Sequence, residues 1–328
     1  MRLFALLMLL LALQLATSAQ AQNATKPANE VLITLGTTGG PIPRFERAGI
    51  FTLIQVNGKS YLFDAGAGMT RSLAGAKVSL LDIQKIFLTH LHDDHYSGLA
   101  DFAGQLSALK PEKTIDIYGP GLTKSVVEGL HAFMYANRLI RETERKFPQR
   151  IDIYVPHEIK PGEVYKDENI RVTAIENHHF HFPNGSPPEG KTTSLSYRIE
   201  TPNRAIVITG DTGAFEGLAT FASGADLFVT EVIDPEDIMN LLQSLMKEKM
   251  SKETYEARKF HMEEEHLTPE SIAKLATEAK VKSVVLTHLN PALKGESAYE
   301  ECVKKIRAGF PGDVFAAKDL DRYLVLRQ

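Results

Sequence analysis

The chain has 328 residues, 43% of them hydrophobic and 24% charged, with a formal net charge of −4. This length supports a large core, either as one big α/β domain or as two small domains. The negative charge disfavours nucleic acid as a partner, because proteins that bind phosphate backbones usually present a basic face. Cys302 is the only cysteine, which excludes an internal disulfide even in an oxidising compartment.

The N-terminus has the pattern of a secretory signal peptide. Arg2 precedes an apolar run at positions 3 to about 16, and Ala19-Gln20-Ala21 supplies the small residues of a cleavage site. The run is shorter than the roughly 20 residues that span a bilayer. We therefore predict that residues 1–21 are removed, and that residues 22–328 form a mature protein without a membrane anchor. Its predicted location is periplasmic or secreted.

Short β-type runs dominate the chain from Glu30 onward. They cover residues 31–35, 50–56, 61–63, 85–89, 114–118, 170–175, 193–199, 205–209, 227–230 and 281–287. An Asn57-Gly58 turn joins the second run to the third. Helical patterns follow Tyr96 and cover about 122–140. Hairpins mixed with strand–helix alternation predict two sheets with helices outside them.

A segment at about 236–265 departs from this alternation. It is rich in methionine and charge, and its apolar residues recur at helical spacing. We interpret it as an inserted helical arm. Its apolar stripe either packs on the body of the protein or forms a lid or a contact with a second copy.

The most informative string is Thr89-His90-Leu91-His92-Asp93-Asp94-His95, directly after an apolar strand. In extended backbone the side chains of His90 and His92 point the same way, so both can hold one ion. Asp94 and His95 follow on the turn and can face a second ion. Imidazole and carboxylate suit Zn²⁺, Fe or Mn²⁺. A metal site at this strand end is therefore predicted.

This H-x-H-x-D-H spacing resembles the signature of the metallo-β-lactamase superfamily, and further motifs of that superfamily follow in order. Phe63-Asp64-Ala65-Gly66 is similar to its early aspartate motif, whose carboxylate orients the first metal-binding loop. Ile208-Thr209-Gly210-Asp211-Thr212 is similar to the motif of its bridging carboxylate, and Thr287-His288-Leu289 ends a strand with a histidine. The resemblance implies an αββα four-layer sandwich of the α/β class, here with the helical insertion.

The same resemblance implies seven metal-binding groups and two ions per chain, Zn²⁺ with Mn²⁺ or Fe as possible replacements. The ligands it implies are His90, His92 and His179 for one ion, Asp94, His95 and His288 for the other, and Asp211 between them. For the third ligand, His178 and His181 remain alternatives to His179. These two histidines are otherwise candidates for substrate contacts or for support of the ligands.

Two motifs resemble the tRNase Z branch of the superfamily. Val229-Thr230-Glu231-Val232 and Glu265-His266-Leu267-Thr268-Pro269 imply that His266 donates a proton to the leaving group and that Glu231 orients it. The sequence departs from that branch in its signal peptide and in lacking the glycine- and basic-rich insertion that clamps tRNA. Residues 35–41 are similar to the branch's glycine-rich loop. Arg44 and Arg47 either line the substrate mouth or lie on a plain surface loop.

The signal peptide pattern and the resemblance together predict an exported hydrolase in which a hydroxide between two metal ions attacks an ester, with Asp64, Asp94, Glu231 and His266 as its catalytic residues. The predicted substrate is a small-molecule phosphodiester or aryl sulfate. A lactonase is one alternative, since lactonases share all seven ligands. A non-catalytic periplasmic metal-binding protein is an alternative from another class, and a homodimer is compatible with the resemblance.

Overall fold

A computed structural model describes residues 29–40, 42–109, 112–145, 152–246, 250–290 and 295–324. Two seven-stranded sheets form its centre. The strands of the first sheet, in spatial order, are β14 (Asp321–Leu324), β1 (Glu30–Gly36), β2 (Phe51–Val56), β3 (Lys59–Phe63), β4 (Ile83–Phe87), β5 (Ile115–Gly119) and β6 (Tyr154–Glu158). Those of the second are β13 (Asp313–Ala316), β12 (Ser283–Leu289), β11 (Leu227–Val232), β10 (Ala205–Ile208), β9 (Leu195–Glu200), β8 (Arg171–Glu176) and β7 (Gly162–Lys166).

Helices cover the outer faces of both sheets. They are α1 (Met69–Gly75), α2 (Asp93–Tyr96), α3 (Gly98–Ala108), α4 (Thr123–Arg145), α5 (Glu216–Phe221), α6 (Pro235–Leu245), α7 (Lys252–Glu264), α8 (Pro269–Ala279) and α9 (Glu296–Gly309). A short 3₁₀ helix spans Leu80–Asp82. None of the helices described here combines the length and the apolar character of a membrane span.

Three apolar layers hold the four structural layers together. One lies between the first sheet and its helices and contains Leu62 and Phe102. The central layer joins the two sheets through residues such as Phe87 and Tyr197. The third lies between the second sheet and its helices and contains Ile272. Alternate side chains of a strand face opposite sides of its sheet, so each sheet contributes to two of these layers. The predicted αββα sandwich is confirmed.

The topology brings the predicted site motifs to one edge of the sandwich. Strands β3, β4 and β5 run parallel, and so do β10, β11, β12 and β13. In such sheets the residues that follow the carboxyl ends of neighbouring strands meet in one crevice. Asp64 follows β3 directly, His90 follows β4, and Asp211 follows β10.

Four edge or near-edge strands are missing from the sequence prediction: β6, β7, β13 and β14. β6 contains Pro156, which removes a backbone donor and is tolerated at a sheet edge. β7 has no buried residue, so it has no apolar alternation to detect. β14 pairs with β1 from the opposite end of the chain, a long-range pairing that local sequence does not encode.

The inserted segment forms two helices, α6 and α7. Asp234 caps α6 by accepting a hydrogen bond from the backbone of Asp237, and Ser251 caps α7. From α6, Ile238 and Leu242 are buried in a small apolar cluster with Ile233. The stripe of α6 therefore packs on the body, whereas no residue of α7 is buried.

Candidate metal centre

Three histidine nitrogens converge at the end of β4. The Nδ1 atom of His92 lies 3.1 Å from the Nε2 atom of His90 and 3.1 Å from the Nε2 atom of His179. His92 is extended and immediately precedes α2, whereas His179 comes from the loop after β8. The structure thus brings His179, rather than His178 or His181, to the first two histidines. We call His90, His92 and His179 the three-histidine group.

A second group lies beside it and contains a carboxylate. The Nε2 atom of His288 lies 3.2 Å from Oδ2 of Asp94, and the Nε2 atom of His95 lies 3.8 Å from the same oxygen. His288 lies one residue before the end of β12 and has φ of 42°, a left-handed backbone that an L-residue rarely adopts unless its surroundings fix it. We call Asp94, His95 and His288 the mixed group.

Asp211 lies between the two groups. Its Oδ1 atom is 3.4 Å from Nε2 of His95, and its Oδ2 atom is 3.1 Å from Nε2 of His288. The same Oδ2 atom is 4.0 Å from Nε2 of His179 in the three-histidine group. Asp211 is 3% exposed. Its carboxylate is therefore placed to serve both groups.

The two groups differ in their electrostatics. Burial lowers the pKa of His90 and of His179 well below the usual histidine value, so their imidazoles are held neutral with a free lone pair. Burial also lowers the pKa of His95, but the carboxylates of Asp211 and Asp64 outweigh it and raise that pKa well above the usual value. The three-histidine group is thus neutral, whereas the carboxylates beside the mixed group favour protonation of its histidines when no cation is bound.

The buried polar atoms of the centre fit divalent metal ions. Nε2 of His95 and Oδ1 of Asp211 are buried 3.4 Å apart, without a well-aligned hydrogen bond to each other or to another described residue. Leaving such atoms unpaired costs about 1–3 kcal/mol each, which coordination to a cation would offset. Neutral imidazole and carboxylate are ligands that zinc accepts readily. The donor set therefore fits a metal centre of imidazole and carboxylate groups.

Asp64 supports the centre from behind. Its Oδ1 atom accepts a hydrogen bond from the backbone of Thr89 at 2.8 Å, and its Oδ2 atom lies 3.0 Å from Nδ1 of His95. This carboxylate fixes which nitrogen of His95 faces the centre and raises its basicity as a ligand. Asp64 is placed to orient ligands and not to touch an ion itself.

Backbone of the glycine-rich loop packs directly against the mixed group. A Cβ atom at Gly39 would overlap the ring of His288, and one at Gly40 would overlap the carboxylate of Asp94. The amide of Gly40 donates a hydrogen bond of 2.8 Å to Oδ2 of Asp94. Only glycine permits this approach, which explains the loop motif in physical terms.

The predicted proton donor lies on the same centre. Nδ1 of His266 is 2.5 Å from Oε2 of Glu231, and Oε1 of Glu231 accepts a hydrogen bond of 2.6 Å from the backbone of Thr212. A nitrogen of His266 also lies within 4.8 Å of ligand atoms of His179 and Asp211. Burial raises the pKa of Glu231 and lowers that of His266, so the pair favours sharing one proton over carrying two charges.

The two histidines left over from the sequence prediction have separate partners. The ring of His178 stacks on Phe215 at a centroid distance of 4.3 Å. Nδ1 of His181 lies 2.8 Å from Oε1 of Glu265, whose backbone carbonyl lies 3.0 Å from Nδ1 of His179. Sequence reasoning missed Glu265 and its further partner His261. Their spacing of four residues on one helix was a signal for a contact between them.

A cavity of about 360 Å³ opens beside the mixed group. Asp93, Asp94, Arg44, Phe45 and Arg71 are among its lining residues. The predicted alternative for Arg44 as a mouth residue is therefore consistent with its position. Arg47 also lines this cavity, but it is buried, and its guanidinium forms an ion pair of 2.9 Å with Glu296.

Comparison with known proteins gives the same family as the motifs. Residues 59–289 match the model of the beta-lactamase superfamily domain. The ribonuclease Z of Mycobacterium bovis (strain BCG / Pasteur 1173P2) is 27% identical over 296 residues, which cover 88% of this chain and 96% of that protein. The ribonuclease Z of Mycolicibacterium gilvum (strain PYR-GCK) is 29% identical, covering 80% and 85% of the two chains.

Solved structures agree in fold. The metallo-beta-lactamase fold protein YhfI of Bacillus subtilis superposes with a TM-score of 0.64 at 19% identity, covering 91% of this chain and 99% of that one. The short form of human tRNase Z superposes with a TM-score of 0.60 at 22% identity, covering 90% and 100%. The chain thus belongs to the metallo-β-lactamase superfamily as a metal-dependent hydrolase with tRNase Z-like relatives.

Proposed function

We propose that the protein is an exported hydrolase that binds two zinc ions and cleaves a phosphodiester bond. The three-histidine group would bind one ion, the mixed group the other, and Asp211 both. The observation that carries the proposal is the position of Asp211 between the two groups, with the His266–Glu231 pair on the same centre. A shared carboxylate lets two cations lie about 3.5–4 Å apart.

When bound, the two ions would lower the pKa of water toward neutrality and neutralise charge that develops on the ester oxygen. The chain's own residues then have separate tasks. Asp64 and the carbonyl of Glu265 orient His95 and His179. His266 holds a proton within reach of the leaving oxygen, and Glu231 fixes its orientation.

Two arginine side chains beside the centre favour an ester that is itself anionic. Arg44 and Arg71 line the cavity beside Asp94, and neither has an ion-pair partner among the residues that the structure describes. A guanidinium binds phosphate and sulfate oxygens well because its donors match their geometry. A lactone carries no such charge. We therefore place the phosphodiester first, an aryl sulfate second and a lactone third.

The relatives found by sequence are ribonucleases by name, which supports the diester bond as the target. The prediction against nucleic acid rests on the net charge of −4 and on the signal peptide pattern. On those two grounds we propose a small diester as the substrate. Because the relatives are ribonucleases by name, the test also includes RNA. The export prediction concerns residues 1–21, which lie outside the described part of the chain.

The test is a substrate panel on the purified, zinc-loaded protein. It compares bis(p-nitrophenyl) phosphate, p-nitrophenyl sulfate, a chromogenic lactone and a short single-stranded RNA. We expect the highest kcat/KM for the phosphodiester. Turnover of the lactone alone would assign the protein to the lactonases. No turnover of any ester at full metal loading would support the non-catalytic metal-binding alternative.

A further inference from the structure

The arm carries a second histidine–carboxylate pair next to the first. His261, on α7, directs Nδ1 at Oε2 of Glu265, and the two atoms form a short hydrogen bond. Oε1 of the same carboxylate is bonded to His181 at 2.8 Å. A carboxylate can only accept hydrogen bonds when ionised, so Nδ1 of both histidines must donate. Glu265 thus ties α7 to the loop after β8.

The ring of His261 forms part of the wall of the metal centre. Its centroid lies 5.0 Å from that of His266, 5.4 Å from that of His179 and 6.4 Å from that of His92. The side chain is 33% exposed. Within the described part of the chain, no hydrogen bond is formed by its Nε2 atom. The ring beside the three-histidine group therefore has one nitrogen without a hydrogen-bond partner among the described residues.

Packing contacts of the arm hold the turn of α7 that carries His261. The neighbouring Phe260 places its ring 5.9 Å from that of His181. Met262, the residue after His261, packs against the apolar cluster around Ile238. A Cβ atom at Gly213 would overlap the carbonyl oxygen of Glu264, so the end of α7 also lies against the loop that follows Asp211. Three contacts thus hold the His261 turn of an otherwise exposed helix.

We propose that His261 is a substrate-positioning residue, supplied by the inserted arm, whose Nε2 atom forms a hydrogen bond with an oxygen of the bound phosphodiester. This inference rests on the proposed function, because it needs a substrate at the metal centre. Glu265 orients His261 as Glu231 orients His266. The arm is then part of the active site, and its sequence contributes to the choice of substrate.

Two substitutions separate the free atom from the tie to Glu265. Asparagine places its amide near the Nδ1 position of histidine, so His261→Asn keeps a donor for Glu265 and removes the Nε2 atom. Glutamine reaches the Nε2 position. His261→Gln therefore keeps a polar atom beside the centre and weakens the hydrogen bond to Glu265. His261→Ala removes both. Glu263→Gln, on the exposed face of the same helix, is the matched control.

The experiment measures kcat and KM for bis(p-nitrophenyl) phosphate, together with bound zinc, for the full-length protein and all four variants. We expect unchanged zinc in every variant. We expect KM to rise roughly 3- to 10-fold in His261→Asn and His261→Ala, the effect of one lost hydrogen bond. His261→Gln should lie closer to the unchanged protein than His261→Asn does, and kcat should change little.

If His261→Asn is at least as good as His261→Gln, the free Nε2 atom has no role and the proposal is overturned. That order is the one expected if His261 only anchors the arm through Glu265. Loss of zinc from the alanine variant would also overturn it, because the residue would then support the ligands. If the protein without substitutions does not turn over the diester, that result would instead contradict the proposed function itself.

Discussion

The two histidine–glutamate pairs at the centre differ in what holds them. Glu231 lies on β11, between β10 and β12, and is 1% exposed. Glu265 lies where the arm rejoins the body, and its partner His261 is one-third exposed. The first pair is fixed by two sheet neighbours and the second by a single helix turn. Glu231 is thus held within a sheet, whereas His261 lies on a helix that has no buried residue.

The strongest way to break the centre is to remove the carboxylate that both groups share. In Asp211→Ala neither group keeps its common anion, and Nε2 atoms of His95 and His288 lose their nearest carboxylate oxygens. We expect no measurable turnover and less than full zinc loading. Atomic emission analysis of the purified variant measures the zinc. A fully loaded variant would contradict the bridging role.

The next largest effect separates catalysis from metal binding. His266→Ala removes the proton donor without touching a ligand, so kcat should fall about 10²- to 10⁴-fold while zinc content stays unchanged. His178→Ala is the matched control, because His178 stacks on Phe215 away from the centre. Zinc loss in His266→Ala would identify His266 as a ligand and remove it as the acid.

A smaller effect is expected from the support behind the mixed group. Asp64→Asn weakens the hydrogen bonds that orient His95 and the backbone of Thr89. Changes to such outer partners typically cost 10- to 100-fold in metal affinity. Competition with a zinc chelator should show weaker binding of about this size. Equal affinity in the two proteins would mean that the ligands are oriented without Asp64.

A separate pair of substitutions compares the framework with the arm in stability and not in activity. Phe87 is fully buried and stacks on Phe63 at 4.9 Å, so Phe87→Ala should lower the free energy of unfolding by about 3–5 kcal/mol. Leu242→Ala, in the small cluster of the arm, should cost about 2 kcal/mol because its surroundings can collapse. Urea unfolding of the metal-free proteins measures both. A larger loss for Leu242→Ala would mean that the arm is part of the central core.

Local sequence carried much of the framework and the centre. The string from His90 to His95 follows a strand end, and three other strand ends carry Asp64, Asp211 and His288. The strand ends follow from local apolar patterns, whereas the roles of Asp64, Asp211 and His288 were implied by the resemblance to the superfamily. The β14–β1 pairing and the approach of Glu265 to His181 were not predictable in this way. Both join residues far apart in the chain, and no local pattern specifies such partners.

The choice among the three neighbouring histidines shows the same limit of prediction from local sequence. Sequence left His178, His179 and His181 open, and a resemblance favoured His179. The structure brings His179 to His92 because its ring turns inward, whereas His178 and His181 turn to Phe215 and Glu265. Those partners decide the rotation, and they come from other parts of the fold.

The most direct test of the account is the metal stoichiometry of the mature protein. It requires purification without added metal, reconstitution with zinc, removal of the excess and elemental analysis against protein concentration. The account predicts about two zinc ions per chain, one for each ligand group. One ion per chain, or iron bound in preference to zinc, would contradict the dinuclear zinc centre around Asp211.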